Sequence, residues 1–435
     1  MTMVMNKRAK TARKRGYSCA MPGVWRAVSH NEGALVIYHS PKACGHIGRE
    51  MDLGMHFRSL AKRQFMPEQY SAPLIISGLA EEHSIFGGAG LLRECIEYAA
   101  ERYKPAYILI ANSCVAGVIG DDTAAVAGEA EAALGIPVMS VPCYGYLDGD
   151  YYAGFYHAGK ILAERFMIAQ PKVVNTVTLL GDRGGPNGMD VQEIKRLLGY
   201  FSLKVYCHFP AYASLEDIRR VPFTALTVPL SGTRQSNPWM CKLGLELEEM
   251  LGVPAFDGDY PAGWQATVLW LTNLGRFLNR QQQAEAAIKQ EAERLNRHIA
   301  EYSSQLQDKR IVLYLGRPLL YFDPAWVLEL FSLYNLNLAG IVVLDDVLSK
   351  DQQLDLYQEL KQQTGIPCFS QAEGKDIVET ADIVVTTHEL TEAARKKQLF
   401  LPLLPLAGVG GITALMTKLV RLAQRHDRRG GIMYV

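Results

Sequence analysis

Among the 435 residues are eight cysteines: Cys19, Cys44, Cys95, Cys114, Cys143, Cys207, Cys241 and Cys368. Free cysteine is among the most buried residue types, so each is first read as a small core residue. Three of them keep turn-forming company. Cys19 stands in YSCAMPGVWR with Pro22 and Gly23, Cys44 in HSPKACGHIGRE with Gly45, and Cys114 in NSCVAGVIGDD with Gly117. Glycine lets backbone approach a bulky inorganic group and lets N–H groups point at its sulfides. Soft thiolates suit zinc or an iron–sulfur cluster. The separations, 25 positions from Cys19 to Cys44 and 70 from Cys44 to Cys114, do not fit the compact zinc patterns. From the residues, two readings stay open: one shared metal or cluster site, or three unrelated thiols. Cys143, in SVPCYGYLDGDYYAG, is a candidate fourth ligand, with a core role the simpler reading. Cys95, Cys207, Cys241 and Cys368 are read as core. His46 either donates to a cluster sulfide or shapes its loop.

The elements that must position these thiols follow a strand–helix alternation. ALVIYH (34–39), PLIIS (73–77), YILIAN (107–112) and PVMSV (137–141) are continuous apolar runs, as expected of parallel strands covered on both faces. Residues 91–103 and 123–134 read as helices between them, which is βαβ alternation. The pattern restarts with strands at 173–182, 203–209 and 224–230 and helices at 191–201 and 239–252. Residues 265–308 contain no proline and read as one long helix. A third series begins at RIVLYLG (310–316) and continues through strands at 338–346 and 381–388 to a terminal helix. The expected fold class is α/β, with three consecutive Rossmann-like domains and mostly parallel sheets. The domains are placed at 1–170, 171–264 and 265–435. On a parallel sheet, Cys44 and Cys114 leave the same edge, and Cys19 can fold back beside them. Ligands of such sheets collect beyond the carboxyl ends of the strands.

Composition excludes several classes. Lys+Arg and Asp+Glu both number 45, so overall charge gives no sign of a nucleic-acid partner. The basic arm KRAKTARKR (7–15) is read as a solvated tail. No export signal opens the chain and no apolar run approaches the ~20 residues of a membrane helix. The expectation is a cytoplasmic protein with no membrane partner. FGGAG (86–90) and GDRGGPNG (181–188) fit no nucleotide-phosphate fingerprint, which argues against a dehydrogenase or an NTPase.

Four motifs then occur in order. They are C-x-x-P-G-x-x-R (Cys19 to Arg26), S-P-x-A-C-x-H (Ser40 to His46), E-x-x-I-F-G-G (from Glu82) and S-C-x-x-x-x-I-G-D-D (Ser113 to Asp122). Their order and rough spacing resemble the component 1 family of nitrogenase. The likeness is specific over residues 17–160 and looser over the whole chain. It implies three Rossmann-like domains, paired homologous subunits, and reduction by an ATP-dependent iron protein. It also implies that Cys19, Cys44 and Cys114 ligate an iron–sulfur cluster at the subunit interface. Three thiolates do not close a four-coordinate cubane. The cluster is therefore either a larger P-cluster-like centre completed by the partner or a 4Fe–4S cluster with a fourth ligand from elsewhere. The partner is an alpha-type subunit or a second copy of this chain.

The family's catalytic subunit holds its substrate cofactor with a second-domain cysteine and a histidine near the C-terminus. Here Cys241 lies too late, the matching place falls near Ser236, and His388 lacks the expected aromatic and glycine surroundings. Residues 226–254 and 309–324 look more like a beta-type half. The resemblance thus implies a beta-type subunit of a nitrogenase or nitrogenase-like reductase, relaying electrons to a cofactor in its partner. The alternatives are a non-catalytic scaffold for cofactor assembly and a homodimeric reductase acting on a tetrapyrrole.

Overall fold

The apolar runs become strands because each can bury both faces. In the computed structural model, β1 (Ala34–His39) and β3 (Tyr107–Asn112) are buried at every position. The structure describes residues 19–50, 70–147, 149–390, 395–402, 404–425 and 431–434, so the basic arm at 7–15 lies outside the described residues. β2 (Leu74–Ile76) and β4 (Val138–Tyr144) complete a parallel sheet in the order β2-β1-β3-β4. Val36 pairs with Leu74 on one side and with Leu109 on the other.

Among the described residues, the helices that accompany this sheet are α1 (Ala20–Val28), α2 (residues 42–50), α3 (His83–Phe86), α4 (Ala89–Tyr103), α5 (Cys114–Ile119), α6 (Thr123–Leu134) and α7 (Tyr151–Phe166). One core layer joins Leu35, Ile37, Ile108 and Ile110 of the strands to Leu92, Ile96 and Val126 of α4 and α6. α1 lies directly on α7. A Cβ at Gly23 would stand 1.8 Å from the Tyr151 carbonyl oxygen, and one at Gly154 would stand 2.0 Å from that of Ala20. Glycine on both helices therefore permits the contact that anchors the start of α1.

A second sheet, in the order β6-β5-β7, contains β5 (Val173–Gly181), β6 (Lys204–Phe209) and β7 (Thr224–Leu230). Its helices are α8 (Met189–Gly199) and α10 (Ser236–Leu251), while α9 (Leu215–Arg220), between them in chain order, packs against α7. The single long helix expected over 265–308 is instead two, α11 (Gly263–Phe277) and α12 (Gln281–Tyr302). Asn279 between them takes a left-handed φ of 56°, which ends the first helix without proline. The third sheet runs β10-β9-β8-β11-β12-β13, built from β8 (Arg310–Leu315), β9 (Asn337–Val343), β10 (Cys368–Ser370), β11 (Ile383–Thr386), β12 (Lys397–Phe400) and β13 (Gly431–Tyr434). The last two strands went unseen in the sequence. α13 (Ala325–Leu333), α14 (Lys350–Gln363), α15 (Lys375–Glu379) and α16 (Gly408–Ala423) belong to this sheet.

The three sheets are housed in two compact units, Met1–Ala169 with Cys207–Pro222, and Gln170–Tyr206 with Phe223–Val435. The chain therefore returns to the first unit after leaving it. Asn31 shows why the returning segment belongs there. Fully buried, it donates to the Pro210 carbonyl at 2.8 Å and accepts from the Ala213 N–H at 2.9 Å. Among the described residues, no helix is long and apolar enough to cross a membrane.

Candidate metal centre

The parallel register sets His39 opposite Asn112, so β1 and β3 end side by side. Five residues beyond His39 comes Cys44, and two beyond Asn112 comes Cys114. The sequence placed these thiols in loops. In the structure all three sit where helices begin. Cys114 is the first residue of α5, behind Ser113, whose Oγ accepts from the Ala116 N–H at 3.1 Å. Cys44 lies in the first turn of α2. Cys19 caps α1 with extended backbone, φ −86° and ψ 143°. Pro41, Gly45 and Gly48 gave the second segment the look of a turn. Gly45 in fact serves packing: a Cβ there would come within 2.0 Å of Ile76 Cδ1. The Met21 N–H at the start of α1 and the Cys44 N–H at the start of α2 favour thiolate over thiol, against burial.

Burial pushes the Cys19 thiol up to about 11, with added repulsion from Cys44 and Cys114, while the Met21 N–H draws it down. Burial raises Cys44 as well, again with Cys114 adding to the effect. The three thiols are therefore close enough to act on one another. A turn following β4 joins them. The Ala20 N–H, next to Cys19, donates to the Gly145 carbonyl at 3.2 Å. Gly145 has φ 54°, and a Cβ on it would lie 2.8 Å from the Cys114 nitrogen. Tyr146, the next residue, has its phenol raised first by desolvation and then by Cys19, Cys114 and Cys44.

Among the described residues, no three His, Cys, Asp or Glu side chains converge closely enough to hold a single metal ion. The donor set fits a cluster better. Each thiolate of a cluster binds its own iron, so cluster ligands need not meet at one point. The cradle also fits, because Gly117 and Gly145 leave open backbone where side chains would strike Tyr144 and Cys114. A cationic metal group would supply the charge that makes three neighbouring thiolates tolerable.

Cys143 is buried in β4, immediately before this turn. His46 is exposed on α2, and Cys95 lies on α4, packed against the sheet core. Cys241 is within α10, and Ser236 begins that helix, buried and bonded to the Thr233 hydroxyl. His388 follows β11 and its imidazole contacts the Thr387 hydroxyl at 3.1 Å.

Two features of the site escaped the sequence reading. The first is a buried pair, His39 Nε2 to Asp121 Oδ2 at 2.9 Å; its only signal was a histidine ending a strand and an Asp in GDD. The second is a set of exposed apolar side chains on the cysteine-bearing elements and on α3. Ile85 is 77% exposed, Phe86 86% and Val118 77%, with Ile47, Tyr146 and Leu147 also more than half exposed. Such groupings mark contact surfaces.

Residues 19–400 match the sequence profile of the family described as Nitrogenase component 1 type Oxidoreductase. The nitrogenase iron-molybdenum cofactor biosynthesis protein NifE of Nostoc sp. is 24% identical over 325 residues, 71% of this chain and 64% of that protein. The nitrogenase molybdenum-iron protein alpha chain of Methanosarcina barkeri is 24% identical over 263 residues, 60% of this chain and 48% of that one. The corresponding beta chain of Bradyrhizobium diazoefficiens is 22% identical over 306 residues, 63% of this chain and 56% of that one. The chain thus spans about half to two-thirds of the length of these curated relatives. Alpha, beta and biosynthesis proteins match at similar identity, so the likeness does not favour a beta-type subunit. The solved structure described as Nitrogenase Cp1 at pH 5 shares the fold. Its TM-score is 0.64 at 17% identity, covering 97% of this chain and 91% of that one.

Proposed function

Because the chain belongs to the nitrogenase component 1 type oxidoreductase family, we propose that it is the iron–sulfur subunit of a nitrogenase-like reductase. Cys19, Cys44 and Cys114 would hold the cluster, 4Fe–4S or P-cluster-like. Bound there, such a cluster accepts and passes on low-potential electrons. The observation that carries this reading is that Cys19, Cys44 and Cys114 stand at three helix starts, with the Gly145 turn against two of them. The chain's own groups do the holding. The Met21 N–H stabilises the Cys19 thiolate, Ser113 fixes the first turn of α5, and Gly145 keeps the third wall thin.

Three thiolates leave coordination to be completed, and the exposed Ile85, Phe86 and Val118 lie on α3 and α5. Both support a shared cluster at an interface with a homologous alpha-type subunit or a second copy. The donor of electrons would be an ATP-dependent iron protein. A beta-type assignment rests on residues 226–254 and 309–324 and on the mismatch at Ser236, Cys241 and His388 with the catalytic subunit's cofactor ligands. The test is anaerobic purification, alone and with an alpha-type partner, followed by iron, sulfide and EPR analysis. Cys44→Ala should lower the iron content severalfold and remove the reducible signal. Unchanged iron in that variant and in the Cys19 and Cys114 variants would sink the assignment.

A second reading is an assembly scaffold, favoured by the match to a protein named for cofactor biosynthesis. It predicts a bound metal cofactor that leaves the protein for an acceptor and no turnover with iron protein and ATP. The reductase reading predicts the reverse.

A further inference from the structure

We propose that Asp121 is a positioning residue for the metal centre: its carboxylate latches the Cys44 and Cys114 helix starts together and lowers the potential of the cluster they hold. The proposal rests on the cluster reading above.

Asp121 follows α5, the helix that begins with Cys114, and its side chain is 4% exposed. One oxygen, Oδ1, accepts from the Gly88 N–H at 2.8 Å. The other, Oδ2, accepts from His39 Nε2 at 2.9 Å. His39 ends β1, is fully buried, and its carbonyl accepts from the Ser113 N–H at 3.1 Å. Burial holds the imidazole below its ordinary value, so it is neutral at pH 7. With Nε2 donating, Nδ1 accepts from the Ser77 hydroxyl at 3.0 Å, and Ser77 Oγ accepts the Ser40 N–H at 3.1 Å. Every donor in this chain has an acceptor. It ties the residue before Cys114, the residues leading to Cys44, the end of β2 and the start of α4. Gly88 is required in it, since a Cβ there would lie 2.7 Å from Asp121 Oδ2 and 3.0 Å from His39 Cε1.

The choice of a carboxylate points beyond folding. Among the described residues the only ion-pair partner of Asp121 is the neutral His39. A buried charge without a cation costs stability. An amide would satisfy the same neighbours: its oxygen would accept from Gly88, and its nitrogen would donate to His39 Nε2. The imidazole would then switch tautomer and donate from Nδ1 to Ser77. What the amide lacks is the negative charge. Held at the end of the helix that Cys114 opens, and bonded to the strand that leads to Cys44, that charge disfavours adding an electron to the cluster.

The test compares wild type, Asp121→Asn, His39→Gln and Cys44→Ala as full chains, purified anaerobically and reconstituted with ferrous iron and sulfide. Iron per chain, the EPR line shape of the reduced protein and the midpoint potential are read on each. The expected result for Asp121→Asn is wild-type iron content, a more positive potential and an altered line shape. His39→Gln frees the carboxylate from its imidazole and should alter the same line shape. A latch that matters only for folding would lower yield and melting temperature while the loaded fraction kept the wild-type potential and line shape. That outcome overturns the proposal, and either variant suffices to read it. Iron uptake that Cys44→Ala does not reduce would instead overturn the underlying cluster reading, whatever Asp121→Asn does.

Discussion

His39 shows how one residue links the site to the stability of the chain. Burial, opposed by Asp121, holds its imidazole below the ordinary value, and burial also lowers His298 and His388. An unfolded imidazole protonates near pH 6.5. Between that value and the lower folded one, the unfolded chain binds more protons, so stability falls as pH drops. Above about pH 6.5 these groups exert no pull. The melting temperature should therefore be flat from about pH 8 to 7 and decline by about pH 5.5. A melt that stayed level through pH 5.5 would show that these histidines are protonated equally in both states. The thiol residues were legible by type and by the glycines beside them. Asp121 and His39 were not, because a hydrogen bond spanning 82 positions leaves no local pattern.

Turns and helices carry the next set of expectations. Gly145 holds a left-handed φ against Cys114. Gly145→Ala should cost about 1–3 kcal/mol in backbone strain and push α5 away, read as a lower melting temperature and lower iron content. Iron content equal to wild type would show that the turn is no wall of the site. On α12, the fully buried Glu291 accepts from Arg196 at 2.6 and 2.7 Å and from the Tyr200 hydroxyl at 2.6 Å. Glu291→Ala removes one carboxylate from a part-buried guanidinium. The cost should be on the order of 3 kcal/mol, the low end for a broken buried pair, because Arg196 is one-third exposed. Urea unfolding would measure it. Strands β1, β3 and β7 and helix α6 were readable to the residue, since apolar runs and helix-forming stretches are local signals. β12 was not, since KQLF opens on two polar residues, and β13 was not either.

At the scale of the whole molecule, the exposed apolar side chains beside the cysteines should mark where another chain docks. Phe86→Asp, at an 86% exposed position, should leave stability within ~0.5 kcal/mol of wild type. It should also abolish co-elution with the partner on anaerobic gel filtration. Persistent co-elution would place the interface elsewhere. The sequence by itself determined the α/β class, the parallel character of the sheets and the candidacy of Cys19, Cys44 and Cys114. Each follows from runs and motifs contiguous along the chain. Only the tertiary structure decided that the thiols open helices, that 207–222 rejoins the first unit, and that the Asp121 carboxylate is buried against His39. These depend on which residues distant in sequence share a contact. Chain order does not encode such contacts; strand pairing and close packing at glycine create them.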